Sequence, residues 1–137
     1  MVYYKYEINF KGDDYMKIKK CLKCGALVKV FKDCECDDCG IKCCDEKMIK
    51  LIPNTSDASF EKHVPEYEIV NDKINVKVNH VMEEEHYIEW ISYIYDNKEQ
   101  IVYFKAGEEA IVTFEYVRGA IIYSYCNKHS IWSKVVN

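Results

Sequence analysis

The sequence predicts an all-β protein, in which an antiparallel β-sandwich follows a small cysteine-rich metal module. Tyrosine and β-branched residues favour strands, and the 137 residues include 12 tyrosines but only two prolines. Short apolar runs alternate with turn-forming residues, and no segment has the periodicity of a long helix. Seven of the eight cysteines lie between Cys21 and Cys44.

Alternation and turn signals give the order of the elements. A strand with one buried face is predicted first, because Tyr4, Tyr6, Ile8 and Phe10 alternate with polar residues. Two short strands at 26–31 and 48–52 flank the cysteine-rich loop. A polar boundary at 53–57 separates this module (1–52) from the sandwich (53–137). The strands predicted for the sandwich are 67–70, 73–78, 86–95, 101–104, 110–117 and 120–126.

The turns between these strands are also predicted from residue type. Asn71-Asp72 is expected to close a hairpin, and Asn97-Lys98, Ala106-Gly107 and Arg118-Gly119 separate the later strands. Each pair contains asparagine, aspartate or glycine, or lies beside one, as tight turns require.

Charge and composition exclude several classes of partner. The net charge is −4 with both signs interspersed, so a nucleic-acid partner is not expected, and an anionic substrate would need local positive charge at its site. No apolar run is long enough to span a membrane, and residues 1–6 lack the pattern of a signal peptide. We therefore expect a cytoplasmic protein. In that reducing compartment the cysteine cluster indicates metal binding rather than disulfides.

The cysteine module predicts a four-sulfur metal site. Cys21 and Cys24 form a knuckle, in which Gly25 lets the backbone turn beneath the two sulfurs. Two further ligands could come from Cys36 and Cys39 or from the adjacent Cys43 and Cys44, which could reach one ion only if the backbone kinks between them; Cys34 is spare in either case. The residues do not distinguish iron from zinc, and a purely structural zinc site remains an alternative.

A second metal site is predicted from the histidines. The chain has four histidines. Its one cysteine outside the module lies three residues before the last histidine. All five fall at predicted strand ends or in loops, which lie close together if they belong to the same end of a sandwich. The five candidate ligands are His63, His80, His86, Cys126 and His129.

These residues stand in motifs that resemble a known family. The run Glu61-Lys62-His63-Val64-Pro65, the strand motif of residues 85–91 and the segment Cys126-Asn127-x-His129 resemble the desulfoferrodoxin/neelaredoxin family of superoxide reductases. The N-terminal Cys21-x-x-Cys24-Gly25 and Cys43-Cys44 resemble the desulforedoxin module of its two-iron members. The resemblance extends from about residue 20 to the C-terminus.

The resemblance implies a fold, an activity and site residues. It implies an immunoglobulin-like sandwich that reduces superoxide by one electron to hydrogen peroxide at a non-haem iron. Histidines at the four positions bind that iron in a plane, the cysteine at position 126 is an axial thiolate, and the sixth position is open in the ferrous state. Glu61 can occupy that position in the ferric resting state, and Lys62 lies near the open face. The family also implies iron or zinc at the cysteine site, a rubredoxin-like electron donor and a homodimer or homotetramer.

The chain departs from the family pattern at three places. Val81 stands where the family usually has proline, Ser130 stands where a glycine often follows the last histidine, and the insert 33–42 adds three cysteines. The family pattern favours Cys43 and Cys44 over Cys36 and Cys39. Two other functions remain as alternatives: a zinc-stabilised structural or binding protein, and a rubredoxin-like electron carrier without superoxide chemistry.

Overall fold

The chain divides into two compact units, Met1–Ile52 and Pro53–Asn137. The computed structural model describes residues 17–36, 40–56 and 62–137, so the strand predicted at 4–10 lies outside the described residues. The described elements are all strands. Within these three ranges no helix is long and apolar enough to cross a membrane.

The first unit is built from very short strands. They are β1 (Ile18–Lys20), β2 (Leu27–Lys29), β3 (Lys42–Cys43), β4 (Glu46–Lys47) and β5 (Ile49–Lys50). Strands β2, β1 and β5 form one antiparallel sheet in that order, and β3 and β4 form a hairpin. The sequence did not predict β1, since its lysines give no clear alternation. It forms because its backbone pairs with β2 on one side and with β5 on the other.

The second unit is a sandwich of two antiparallel sheets. Its strands are β6 (Glu66–Val70), β7 (Lys73–Lys77), β8 (Ile88–Tyr95), β9 (Lys98–Tyr103), β10 (Ile111–Glu115), β11 (Ile121–Cys126) and β12 (Ser130–Val135). One sheet has the order β10-β7-β6 and the other β12-β11-β8-β9. A three-stranded sheet therefore packs on a four-stranded one, which is an immunoglobulin-like arrangement. The predicted fold class is confirmed.

The sandwich core lies between the facing sides of the two sheets. Ile74 and Val76 of β7 are fully buried and pack with Ile91 and Tyr93 of β8. The rings of Tyr93 and Phe114 are stacked across the core, with centroids 4.5 Å apart. Burial of this apolar surface, about 25 cal/mol for each Å² removed from water, holds the two sheets together.

One turn and one strand of the sandwich differ from the sequence-based predictions. Residues Asp96 and Asn97, both with positive φ (46° and 61°), close the β8–β9 hairpin, in which Tyr95 pairs with Lys98. The turn therefore lies one residue earlier than predicted, since a two-residue hairpin of this twist needs positive φ at both central positions. Strand β12 was not predicted, because the preceding turn contains no glycine. Ser130 adopts the left-handed conformation (φ 70°) in its place.

Candidate metal centres

The five residues predicted for the second metal site converge at one end of the sandwich. Their candidate ligand atoms all lie within 4.8 Å of one another. His63 and Cys126 are buried, and the other three are partly exposed. The chain separation of these residues reaches 66 positions, between His63 and His129, so only the fold brings them together. The residues of this cluster are His63, His80, His86, Cys126 and His129.

The imidazole rings form a closed square. Neighbouring ring centroids are 4.7 Å apart for His63 and His80, 4.6 Å for His80 and His86, 4.9 Å for His86 and His129, and 4.8 Å for His129 and His63. The planes of each neighbouring pair meet edge to face. Each ring therefore has two neighbouring rings, an arrangement that four ligands of one ion can adopt.

The distances between donor atoms fit coordination bonds to one ion. His63 Nε2 lies 2.9 Å from His129 Nδ1 and 3.1 Å from His80 Nε2. Metal–nitrogen bonds of about 2.1 Å at right angles would place adjacent nitrogens about 3.0 Å apart. Cys126 Sγ lies 3.4 Å from His80 Nε2 and 3.7 Å from His129 Nδ1. The sulfur therefore approaches the square from one side, as an axial ligand would.

The protonation of these rings also fits a cation. His80 Nδ1 donates a hydrogen bond to the Val81 carbonyl oxygen over 2.6 Å, which leaves the lone pair of Nε2 facing the cluster. Burial and, to a smaller extent, the neighbouring imidazoles together lower the pKa of His80 to about 4. The buried Nε2 of His86 has no hydrogen-bond partner among the described residues. Such an orphaned polar atom is costly in a folded protein unless a metal ion satisfies it.

Strands β11 and β12 position His63 and the axial sulfur. Ser124 and Trp132 are paired across the ladder, two residues from Cys126 and Ser130 respectively, so their side chains share one face. Ser124 Oγ donates to the His63 carbonyl oxygen over 2.9 Å. Trp132 stacks on the His63 ring. The sequence did not single out Trp132; its place three residues after His129 was the available signal.

The four cysteines of the first unit form a second cluster. The ligand atoms of Cys21, Cys24, Cys43 and Cys44 lie within 4.8 Å of one another. Cys21 follows β1, and the chain then turns so that Gly25 N donates to the Cys21 carbonyl oxygen over 2.9 Å. Gly25 has φ 81°, a conformation that disfavours side chains. This is the predicted tight turn beneath the first pair of sulfurs.

The adjacent pair Cys43 and Cys44 meets the predicted requirement for a kink. Cys44 and Asp45 both have positive φ (54° and 63°) and form the two-residue turn of the β3–β4 hairpin. Cys43 Sγ lies 3.6 Å from Cys24 Sγ and 3.8 Å from Cys44 Sγ. Four sulfurs bound at about 2.3 Å in a tetrahedron would lie about 3.8 Å apart. The observed distances therefore fit a tetrahedral metal site.

The sulfur cluster is electrostatically incomplete without a cation. The backbone N–H of Cys24 lowers the pKa of Cys21 to about 7, whereas the neighbouring sulfurs of Cys24 and Cys21 raise the pKa of Cys43 to about 12. One thiolate thus suppresses ionisation of the next. A divalent or trivalent metal ion removes this repulsion and is bound through the deprotonated sulfurs.

Several predicted residues lie outside the two clusters. Cys36 is not a member of the sulfur cluster, and Cys39 lies outside the described residues, as does Glu61. Lys62, the residue immediately before His63, is exposed. Cys34 is disulfide-bonded. We had expected the cysteine cluster to bind metal rather than to form disulfides. Cys34 belongs to neither metal cluster, and a thiol that is not bound to a metal ion can be oxidised to a disulfide.

Comparison with known proteins relates most of the chain to one family. A family model described as Desulfoferrodoxin matches residues 55–135. The desulfoferrodoxin of Syntrophotalea carbinolica is 37% identical over 122 residues, which is 86% of this chain and 94% of that protein. The desulfoferrodoxin homolog of Archaeoglobus fulgidus is 35% identical over 123 residues, which is 87% of this chain and 96% of that protein.

A solved structure gives the same relationship. The crystal structure of the superoxide reductase from Treponema pallidum is similar to this chain with a TM-score of 0.62 and 26% sequence identity. The similarity covers 85% of this chain and 98% of that one. It therefore extends beyond the sandwich into the cysteine-rich unit.

Proposed function

Because this chain belongs to the desulfoferrodoxin family, we propose that it is a superoxide reductase, which reduces superoxide by one electron and releases hydrogen peroxide. The observation that carries this proposal is the square of four imidazoles with one sulfur to one side. A structural zinc site is four-coordinate and closed. Five donors in this arrangement suit a six-coordinate redox ion such as iron, with one position left for a small ligand.

Each cluster has a proposed role. The histidines at 63, 80, 86 and 129 would hold the iron through Nε2 of His63, His80 and His86 and Nδ1 of His129. Cys126 would hold it through its sulfur. A ferrous ion held there supplies the single electron that superoxide needs, while two protons come from the surroundings. The protein residues set the charge, the access and the release of product.

Local charge at this site attracts the substrate despite the negative chain. The lowered pKa of His80 and His86 keeps these two imidazoles neutral at pH 7. With four neutral imidazoles and one thiolate, a ferrous site carries about one net positive charge. Exposed Lys62, next to His63, would add a second positive charge beside the site. Superoxide is an anion, so both charges favour its approach.

Cys126 and Glu61 would act on the product side of the reaction. The thiolate of Cys126 would donate electron density to the ion, as thiolate ligands do in haem enzymes. The position of Glu61 in the Glu-Lys-His motif supports a role as a carboxylate ligand that would hold the ferric ion. Glu61→Ala tests this role: a changed ferric visible spectrum is expected, and an unchanged spectrum would remove Glu61 from the mechanism.

The remaining unit and partners are proposed from the same family resemblance. We propose that residues 1–52 form a desulforedoxin-like module holding iron or zinc at Cys21, Cys24, Cys43 and Cys44, and that residues 53–137 form the catalytic domain. A ferrous ion has one electron to give, so an external donor of the rubredoxin type is needed for each turnover. We also propose a cytoplasmic location, because thiolates that bind metal stay reduced in that compartment. The family resemblance further supports a homodimer or homotetramer.

The decisive experiment mixes pulse-generated superoxide with the reduced protein and follows the optical change and the peroxide formed. We expect one peroxide for each iron oxidised in the wild-type protein. Cys126→Ser should abolish the thiolate absorption of the ferric form, and Cys24→Ser, in the other cluster, should leave that absorption intact. A colourless, zinc-loaded protein from iron-replete cells would support a structural role instead. An iron-loaded protein with no optical response to superoxide would support a simple electron carrier.

A further inference from the structure

We infer that Asn127 is a positioning residue that holds the His86 loop against the turn carrying Cys126 and His129. The inference rests on the proposed iron site but not on the substrate. Asn127 lies between Cys126 and His129 in the sequence. Its side chain and backbone form hydrogen bonds with Glu85 and Tyr87, the two residues that flank His86. No other described asparagine has this relation to the cluster.

The strand ladder explains why an amide side chain is needed there. Strands β8 and β11 pair with an irregularity, so that Tyr125 faces Trp90 but Cys126 faces Ile88, and Glu89 is the extra residue. Beyond Cys126 the chain of β11 turns towards His129. Residues 85–87, which lead into β8, therefore lie beyond the regular strand ladder just where they carry a candidate metal ligand.

Asn127 replaces that missing partner. Its backbone N–H donates to the Tyr87 carbonyl oxygen over 3.3 Å. Its Oδ1 accepts from the Tyr87 N–H at 3.0 Å, and its Nδ2 donates to the Glu85 carbonyl oxygen at 3.0 Å. A carboxamide offers the same donor and acceptor as a peptide group. The side chain thus continues the ladder for two more residues.

These bonds fix the backbone on either side of His86. On the opposite edge, Glu83 and His86 exchange two backbone hydrogen bonds of 3.0 and 3.1 Å. The loop is thereby held from both edges, whereas the buried Nε2 of the His86 ring has no hydrogen-bond partner among the described residues. The ring is therefore aimed at the site by its backbone. Removing one edge of this support should loosen His86 relative to His80 and His129.

The chain offers a matched control for this inference. Asn54 makes the same kind of bidentate contact, in which Oδ1 accepts from the Ser133 N–H at 3.0 Å and Nδ2 donates to Ser133 Oγ over 3.1 Å. It binds strand β12 but neither flank of a candidate ligand. Its positive φ (63°) makes Asn54→Ala at least as disturbing to the backbone as Asn127→Ala. The control therefore separates loss of ligand positioning from general loss of stability.

The test measures iron release from the full-length, iron-loaded protein into excess chelator. Loss of a group that orients a metal ligand typically weakens metal binding by about 10- to 100-fold. We expect Asn127→Ala to release the iron of the histidine site at least ~10-fold faster, with a shifted ferric thiolate absorption. Asn54→Ala should leave both within about 2-fold of the wild type, which is the precision expected of a distant change.

A second measurement does not depend on iron or superoxide. In the zinc-loaded protein, hydrogen exchange of the Tyr87 amide should be faster in Asn127→Ala but not in Asn54→Ala. Equal iron release in the two variants, or unchanged Tyr87 exchange in Asn127→Ala, would overturn the inference while leaving the proposed enzyme activity intact. If Asn127→Ala does not fold, Asn127→Asp decides. It keeps the acceptor for the Tyr87 N–H but loses the donor to Glu85, and unchanged iron release would again overturn the inference.

Discussion

The indole of Trp132 lies stacked on the imidazole of His63, with ring centroids 5.0 Å apart and 22° between the planes. The same indole donates from Nε1 to the His129 carbonyl oxygen over 3.0 Å. One fully buried side chain therefore contacts two neighbouring corners of the imidazole square. Such contacts hold ligands in the orientation that the ion requires.

Replacing this indole should weaken iron binding. We expect Trp132→Leu to speed iron release by about 10-fold, since the stack on His63 and the bond to His129 are both lost. Trp132→Phe keeps a stacking ring and should have a smaller effect. The control is Trp90→Leu, because Trp90 stacks on Tyr125 instead (centroids 5.6 Å apart). Iron release into a chelator is measured for all three variants and should be fastest in Trp132→Leu. Equal effects of the leucine substitutions at Trp132 and Trp90 would contradict the prediction.

Lys62 should affect how fast superoxide reaches the site. Lys62→Met removes a positive charge beside His63, so we expect the second-order rate constant to fall by about 3- to 10-fold at low salt. At about 0.5 M salt the difference should nearly disappear, because exposed charges are then screened. Rapid mixing at several ionic strengths measures both values. Lys134→Met, an exposed lysine on β12, serves as the control, and an equal loss in both variants would rule out steering by Lys62.

In the structure Cys44, and not Cys36, lies in the sulfur cluster of the first unit. Cys44→Ser should therefore lower the metal content by one ion per chain, whereas Cys36→Ser should leave it unchanged. Metal analysis of the purified proteins checks this, with the absorption of the histidine site as an internal standard. Loss of metal in Cys36→Ser would show that the other pair of cysteines takes part.

Ser130 should be replaceable by glycine with a gain in stability. A side chain at φ 70° costs about 1 kcal/mol relative to an ordinary conformation, and glycine avoids that cost. Part of the gain is lost because glycine is more flexible in the unfolded chain, so a net gain of about 0.5 kcal/mol is expected. Urea unfolding of identically metal-loaded proteins measures it. Ser130→Ala keeps the strained conformation and should show no gain; a gain there would assign the effect to the side chain instead.

The hydroxyl of Tyr93 should contribute to holding the two sheets together. It donates to the Glu115 carbonyl oxygen over 2.8 Å and accepts from the Val117 N–H at 3.0 Å. Tyr93→Phe leaves both backbone groups without this partner in a partly buried region and should cost about 1 kcal/mol of unfolding free energy. Tyr116→Phe removes an exposed bond to Asn137 and should cost less. A urea titration in which the two variants lose equal stability would contradict this.

Local sequence patterns predicted most of the strands of the sandwich. Ile74 and Val76, for example, alternate with polar residues on β7, and this period places them in the core. The same patterns missed β1, β12 and the short β3–β4 hairpin, and they misplaced the β8–β9 turn by one residue. These errors share a cause, because each depends on a backbone partner or a dihedral angle that residue type does not specify. Ser130 shows this, as it occupies a conformation in which glycine would be expected.

The sequence by itself determined which donors the protein has: four imidazoles, a distant thiol and a cysteine-rich module, in the order of one family. Only the tertiary structure decided how they meet. It brought Cys44 into the sulfur cluster through a left-handed turn, arranged the histidines as a square, and placed Trp132 and Asn127 in contact with residues that carry or flank those histidines. The physical reason is that these relations join residues up to 69 positions apart (63 and 132), and such contacts arise from sheet register and core packing rather than from any local pattern.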